Sequence, residues 1–196
     1  MNNLKDLVRR NRSYRRFFQN VSIPEYVLEG LVDLARLSPS ARNAQTLKYF
    51  ISWHPKTNEI IFPHLSWAGY LKDWNGPTQG ERPSAYIIIL NDTTISDTYF
   101  CDDGIAAQSI LLGAVEQGLG GCIIGSVDRL KLQKALNLPQ HLRIVEVIAL
   151  GKPREQVVIE DMKDGDFKYW RDENQKHHVP KRALDEIIIK HSEPET

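Results

Sequence analysis

The helical spacing of apolar residues predicts four helices along this chain. A short helix opens the chain, and a second begins with Ser22 as its cap and ends before Pro39. A third covers residues 102–117 and is apolar on nearly every side, which is typical of a central, buried helix. The fourth is capped by Ser126. One long apolar helix therefore organises the predicted fold.

Short apolar runs predict the strands. Residues 49–51 form one strand, and we expect residues 59–62 to be its hairpin partner. Residues 84–90 and 143–150 are continuous enough to be buried strands, and residues 122–124 form a short inner strand. Strands separated by helices favour an α+β fold, or a layered α/β fold, built as a single domain over residues 1–196.

The C-terminal part lacks a clear hydrophobic pattern. Residues 153–178 are polar and irregular. We expect residues 180–190 to form a last segment that is anchored by Leu184, Ile187 and Ile188.

Composition narrows the possible function classes. The chain has 196 residues, of which 41% are hydrophobic and 26% charged, and 25 basic residues balance 25 acidic ones. A neutral chain gives no support for whole-surface attraction to nucleic acid or anionic lipid. The longest apolar runs are far shorter than the roughly 20 residues that span a bilayer. We therefore expect a cytoplasmic protein with no nucleic-acid or membrane partner.

Several familiar catalytic signatures are missing from the sequence. It contains no G-x-G-x-x-G, no Walker A motif, no H-E-x-x-H and no G-x-S-x-G. Cys101 and Cys122 form no C-x-x-C motif, so we expect buried free thiols rather than a zinc site or a disulfide. The pair His177 and His178 lies in a polar stretch, and we expect it to be solvated rather than metal-bound.

Four short segments carry candidate chemistry, and each also has a simple structural explanation. The basic run at residues 11–17 could grip a phosphate, but it could also be a solvated turn or a nucleic-acid arm. Residues 39–43 could be only a turn that ends a helix. The glycines at 118–125 allow close approach to a flat ring, although helix ends also favour glycine. The basic pair at 181–182 could simply be solvated.

Taken together and in order, these segments resemble the FMN-dependent nitroreductase family. The run RSYRRF at residues 12–17 is similar to the family's R-R-S-x-R-x-F, and ARLSPSARNAQ at 35–45 is similar to A-x-x-A-P-S-x-x-N-x-Q. DGIAAQ at 103–108 resembles its central helix. The glycines at 118–125 and ALGKP at 149–153 resemble its flavin-facing turn and late G-x-P turn. The resemblance covers about residues 4–190.

The resemblance implies which residues hold FMN. The first motif grips the phosphate and ribityl chain in this family, and here it supplies Arg12, Ser13 and Arg15. The family's leading arginine is Asn11 in this chain. A C-terminal basic pair closes on the same phosphate, and its counterparts here are Lys181 and Arg182.

The resemblance also implies a homodimer whose two FMN sites are shared between subunits. In this family the P-S-x-x-N loop reaches the flavin of the partner subunit, which assigns this role to Pro39, Ser40 and Asn43. Ile124 and Gly125 are expected against the isoalloxazine ring. The implied fold is a central mixed sheet flanked by helices, with the long apolar helix at the dimer interface.

The implied chemistry belongs to the flavin, so we assign no catalytic residue. NAD(P)H passes hydride to N5 of FMN and leaves, and a small electron-poor oxidant such as a nitroaromatic or a quinone then takes the electrons. Arg42 or Lys72 is expected to neutralise the reduced ring near N1 and O2.

The variable segment at residues 67–82 leaves the substrate open. Its Trp67, Tyr70 and Trp74 could line the substrate space or form a surface cluster. Two alternatives to a general oxidoreductase remain. One is a specialised member, such as a reductive dehalogenase or a flavin-modifying enzyme, and the other is a non-catalytic FMN sensor or carrier.

Overall fold

The computed structural model describes residues 3–190. The chain divides after Arg154 into two compact units, Met1–Arg154 and Glu155–Thr196, and each is treated by itself below. The interpretation of residues 1–196 as a single domain stays a prediction.

The first unit is built on a four-stranded sheet in the order β1-β2-β4-β3, in which every neighbouring pair is antiparallel. The sheet was expected to be mixed, but the only parallel pairing in the described part of this unit is an isolated bridge between Ser13 and Gly121. The third strand was expected inside the sheet and instead ends the strand order. The strands are β1 (Leu47–Ser52), β2 (Ala85–Asp92), β3 (Gly120–Ile124) and β4 (Leu142–Gly151).

Within the described part of the first unit, five α-helices accompany this sheet, and the first of them contacts the long central helix. The predicted hairpin partner at residues 59–62 is wrong, because most of that run lies in a helix and β1 pairs with β2 instead. Pro55 begins this helix, where its missing N–H costs nothing, and Ile61 is buried. The helices are α1 (Leu4–Arg10), α2 (Glu25–Leu37), α3 (Pro55–Ile61), α4 (Asp102–Glu116) and α5 (Arg129–Ala135).

Two predicted helix caps are also wrong. Pro24 occupies the cap position of α2, so Ser22 does not cap it. Asp128 rather than Ser126 caps α5, and its carboxylate accepts a hydrogen bond from the backbone N–H of Lys131. Aspartate is as good a cap as serine, and the helix begins where the Asp128 side chain accepts from a free N–H group of the first turn.

Helix α4 is the buried central helix that the sequence predicted. It packs with α2 on one face of the sheet, and the other face is covered by α3 and α5. A Cβ atom at Gly113 would lie 2.3 Å from Leu34 Cδ1, so the absence of a side chain lets α2 and α4 approach closely. Within residues 3–190, no helix is long and apolar enough to cross a membrane.

The second unit is a small sheet where an irregular segment was expected. Strand β5 (Val157–Asp161) runs parallel to β7 (His177–Lys181), and β6 (Trp170–Arg171) completes the order β5-β7-β6. His177 and His178 are buried rather than solvated, because β7 is the middle strand. Helix α6 (Leu184–Ile187) follows, and the expected anchors Leu184, Ile187 and Ile188 are exposed.

Candidate functional site

The basic segment after α1 is fixed along the edge strand β3. Ser13 forms the parallel bridge to Gly121, and the backbone N–H of Tyr14 donates to the Gly121 carbonyl at 3.0 Å. A Cβ atom at Gly120 would lie 2.5 Å from the Tyr14 ring, so only glycine lets this ring pack so closely. The first predicted motif and the glycines before Ile124 are therefore brought together.

Arg12 combines burial with an unsatisfied donor. Its guanidinium donates to the Val8 carbonyl at 2.8 Å, but its Nε is buried and has no hydrogen-bond partner within residues 3–190. Burial lowers the pKa of Arg12 below its ordinary value, partly offset by Tyr14. A half-buried cation with an unpaired N–H is stabilised strongly by an anion, because charge-assisted hydrogen bonds are the stronger kind.

Arg15, Ile124 and Gly125 line one cavity of about 220 Å³, which we call the β3 cavity. Residues 66–69 and 122–126 form most of its remaining wall. Trp67 is part of this wall, whereas Tyr70 and Trp74 are not. Nothing lies within 4 Å of a Cβ atom built on Gly125, so this end of β3 faces open space. Three residues that the sequence grouped by resemblance therefore share one space.

Arg129 holds the end of β3 against β4, and the sequence reasoning missed it. Its guanidinium donates to the carbonyl of Gly125 at 3.0 Å and to that of Val145 at 2.6 Å. It therefore orders the loop that follows Ile124. No sequence motif identifies such a residue, because its hydrogen-bond partners are backbone carbonyls, which every residue carries.

Glu146 is a second residue that sequence reasoning missed. Burial raises its pKa to about 7, with a further contribution from Asp103, while Arg129 acts in the opposite direction. Its Oε1 is buried and has no hydrogen-bond partner in the described part of the chain. The only available signal was a carboxylate between the apolar residues Val145 and Val147 of β4.

The loop at residues 38–45 is tied to the start of α4. The Ser40 hydroxyl donates to Asp102 Oδ2 at 2.6 Å, and the Ala41 N–H donates to Oδ1 at 2.9 Å. Ser40 Oγ also accepts from the Gln45 N–H at 2.9 Å. Three non-glycine residues of this loop have positive φ, namely Arg42, Asn43 and Gln45. Such strain persists only where the surroundings enforce it, and it concentrates at functional sites.

Pro39 and Ser40 line a separate cavity of about 210 Å³, which we call the loop cavity. Tyr49 and Asp102 also line it, and burial, followed by the Asp102 charge, raises the pKa of Tyr49 to about 12. Asn43 lines neither this cavity nor the β3 cavity. Within one chain, the structure therefore does not bring the loop residues to Arg15 and Ile124.

The other cationic residues that were predicted to contact FMN do not line the β3 cavity. Lys181 ends β7 and Arg182 follows it in the second unit, where both are exposed and Arg182 pairs with Glu186 at 3.6 Å. Neither Arg42 nor Lys72 lines the β3 cavity. The guanidinium carbon of Arg42 lies 5.5 Å from the centre of the Phe100 ring.

The two cysteines differ in environment. Cys122 is buried and lines the β3 cavity, but Cys101 is exposed, which corrects the expectation of two buried thiols. Cys101 immediately precedes the first turn of α4, where the chain lies at the surface. Within residues 3–190, no group of three or more His, Cys, Asp or Glu side chains is placed to hold a metal ion.

Comparison with known proteins gives one family and a consistent fold. The model of the nitroreductase family matches residues 8–152. A protein of Methanothermobacter thermautotrophicus with the provisional name NADH dehydrogenase/NAD(P)H nitroreductase is 26% identical over 167 residues, which cover 82% of this chain and 83% of the relative.

Solved structures agree on the fold. A nitroreductase family protein of Streptococcus pneumoniae superposes with a TM-score of 0.68 at 16% identity, covering 96% of this chain and 100% of that chain. A protein of Exiguobacterium sibiricum, provisionally named a nitroreductase and solved in complex with FMN, superposes with a TM-score of 0.66 at 17% identity. The match covers 79% of this chain and 90% of that chain.

Proposed function

Because the chain belongs to the nitroreductase family, we propose that this oxidoreductase depends on FMN. In this proposal NAD(P)H delivers the reducing equivalents and leaves, and a small electron-poor molecule, such as a nitroaromatic or a quinone, then takes them up. The FMN of the Exiguobacterium sibiricum protein and the NAD(P)H in the name of the Methanothermobacter thermautotrophicus relative support the two cofactors.

The proposal rests on one observation: the wall of the β3 cavity contains a cationic side chain together with the open end of a strand. Arg15 lines this cavity together with Ile124 and Gly125, and Arg12 in the same segment keeps a buried N–H without a partner. A phosphate would supply an anionic acceptor for the unpaired Arg12 N–H. The open space at Gly125 suits a flat ring that approaches the backbone closely. The residues present therefore fit FMN.

The size and lining of the cavities support a site shared by two subunits. The β3 cavity and the loop cavity have volumes of about 220 and 210 Å³, and each is smaller than the roughly 300 Å³ at which ligand pockets usually begin. We propose that a homodimer completes each site, with Pro39, Ser40 and Asn43 reaching the flavin of the other subunit. Helix α4 would lie at this interface, where Gly104 in its first turn is exposed.

In the proposed mechanism, the chain's own residues bind the cofactor and hold it in position. When bound, FMN supplies the two-electron redox chemistry. Arg12, Ser13 and Arg15 hold its phosphate end, and Lys181 and Arg182 are proposed to close on it. Arg129 fixes the strand end that carries Gly125, so that the backbone there is ordered before a ligand arrives. The Trp67 side chain forms part of the wall of the β3 cavity.

The test compares Arg12 with Arg9, a neighbouring arginine at the end of α1. Arg12→Ala should lower FMN affinity, because each charge-assisted hydrogen bond contributes about 1.5–3 kcal/mol. Lys181→Ala combined with Arg182→Ala should lower it further. Arg9→Ala is the matched control, because Arg9 is exposed in the last turn of α1, whereas Arg12 is half-buried and keeps a buried Nε without a hydrogen bond within residues 3–190. Equal flavin content after dialysis of the Arg12 and Arg9 variants would contradict the site.

A further inference from the structure

A third cavity lies in the first unit and involves none of the predicted flavin residues. Its volume is about 270 Å³, and its wall comes from three stretches, at residues 19–22, 53–62 and 82–86. None of Arg12, Arg15, Ile124 or Gly125 contributes to it. We call it the Arg82 cavity.

The cation of this cavity has no counter-ion in the described chain. The guanidinium carbon of Arg82 lies 4.1 Å from the centre of the Phe62 ring, and no carboxylate of residues 3–190 pairs with it. Its Nε is buried and makes no hydrogen bond there. The neighbouring arginines differ, because Arg16 and Arg154 both pair with Glu81. Arg82 is thus a cation that lies over an aromatic ring and has guanidinium N–H donors that no residue of the described chain uses.

Ser84 adds a buried hydroxyl without a partner. The residue is only 7% exposed, it lines the cavity, and its Oγ makes no hydrogen bond within residues 3–190. Its backbone carbonyl accepts from Asn58 Nδ2 at 2.8 Å, so the position of the residue is fixed while its hydroxyl stays unpaired. Leaving a buried hydroxyl unsatisfied costs free energy, and a bound acceptor removes that cost.

We propose that the Arg82 cavity binds a small, flat monocarboxylate, with the carboxylate on Arg82 and Ser84 and the ring beside Trp53 and Phe62. The two aromatic residues line the cavity and suit a planar apolar body. The volume lies just under the roughly 300 Å³ at which pockets for drug-sized ligands begin, so the ligand is small. Glu59 also lines the cavity, and its negative charge repels a dianion such as a phosphate monoester about twice as strongly as a monoanion.

Benzoate is the probe, and isothermal titration of the full chain is the measurement. Benzoate is expected to bind saturably at one site per chain, and neutral benzamide to bind at least about tenfold more weakly, because the charge-assisted bond is lost. Arg82→Gln should weaken benzoate binding by a similar factor. Arg154→Gln is the matched control, because Arg154 lies 5.8 Å from the Phe18 ring but pairs with Glu81 outside the cavity.

Ser84→Ala separates binding from folding. It removes a hydroxyl that makes no hydrogen bond, so the melting temperature should stay equal or rise, while benzoate affinity falls. Full benzoate affinity in both Arg82→Gln and Ser84→Ala would place the ligand elsewhere and overturn the proposal. Equal affinity for benzoate and benzamide, or no saturable binding of benzoate to the unaltered protein, would also overturn it.

Discussion

The hydroxyl of Ser40 donates to Asp102 Oδ2 at 2.6 Å, which joins the loop after α2 to the first residue of α4. The second carboxylate oxygen accepts from the Ala41 N–H, so one buried side chain holds two consecutive loop residues. The positive φ angles of Arg42, Asn43 and Gln45 follow directly after this anchor. We propose this loop as part of the shared site, and its conformation thus depends on the Asp102 carboxylate.

Asp102→Asn should loosen this loop. An amide has one acceptor atom where the carboxylate has two, so one loop donor is left without a partner at a cost of about 1–3 kcal/mol. Urea unfolding measures the loss of stability, and the proposed flavin site predicts a lower FMN content as well. Asp103→Asn, compared at pH 5 where Glu146 keeps its proton, is the control, because Asp103 is the next residue and makes no hydrogen bond to this loop in the described chain. Equal stability of the two variants would rule out the anchor.

Gly76→Ala should disturb the wall of the β3 cavity. Gly76 has a φ of +106°, and a Cβ atom there would lie 2.6 Å from Trp67 Cδ1. The matched control is Gly80→Ala, because Gly80 has a φ of +88° with nothing within 4 Å of a Cβ. Both variants carry backbone strain, so the extra loss in Gly76→Ala, about 1–3 kcal/mol by urea unfolding, reports the clash with Trp67. A smaller loss than in the control would contradict the contact.

His178 should make the stability of the second unit depend on pH. Burial alone would lower its pKa, but hydrogen bonds from its ring nitrogens to Glu160 and Asp172 raise it above the ordinary 6.5. Because the folded pKa is the higher one, this stabilisation is fully present below about pH 6.5 and is lost as the pH rises through the raised value. The protection factors of the β7 amides, which correct for the faster intrinsic exchange at high pH, should therefore be larger at pH 5.5 than at pH 8.5. In His178→Asn this difference should disappear, and a wild-type protein without it would contradict the pairing.

Glu146 should make the stability of the first unit depend on pH in a separate way. Burial and then Asp103 raise the pKa of Glu146 to about 7 from its ordinary 4.5. The folded protein keeps a proton that the unfolded chain releases, so stability falls as the pH rises from about 4.5 to about 7. Glu146→Gln cannot ionise, and its melting temperature should exceed that of the wild type by a margin that grows over this range. A constant difference would show that Glu146 does not hold the proton.

Elements buried on both faces were predictable from the sequence. Helix α4 and strands β2 and β4 carry continuous apolar runs, because the core leaves little room for polar residues there. Shorter runs were ambiguous, and Ile60 and Ile61 fit a strand as well as a helix until Pro55 is taken as a helix start. A short run also does not tell an inner strand from an edge strand.

The second unit escaped prediction for a different reason. Strand β7 begins with His177 and His178, whose polarity suggested solvent. In the structure His178 is buried because its ring stacks on Trp170 at 3.9 Å and its nitrogens pair with carboxylates. Such burial by ion pairing and stacking leaves no hydrophobic periodicity to detect.

The candidate site was predictable where short motifs carry it. Arg15 and Gly125 were grouped by resemblance, and the structure places both on one cavity. Arg129, Glu146 and Arg82 were not predicted, because their roles depend on backbone carbonyls, burial and an aromatic neighbour that are distant in sequence or unmarked by any motif.

In the proposed function, the chain uses FMN to move electrons from NAD(P)H. The most direct measurement is the visible spectrum of the purified protein, loaded with FMN if necessary, before and after anaerobic addition of NADH or NADPH. We predict a yellow protein whose flavin absorbance is bleached rapidly by at least one of the two and returns when a quinone is added. A yellow protein that neither nucleotide bleaches would contradict the enzymatic claim and indicate an FMN sensor or carrier. A colourless protein that takes up no FMN would contradict the account altogether.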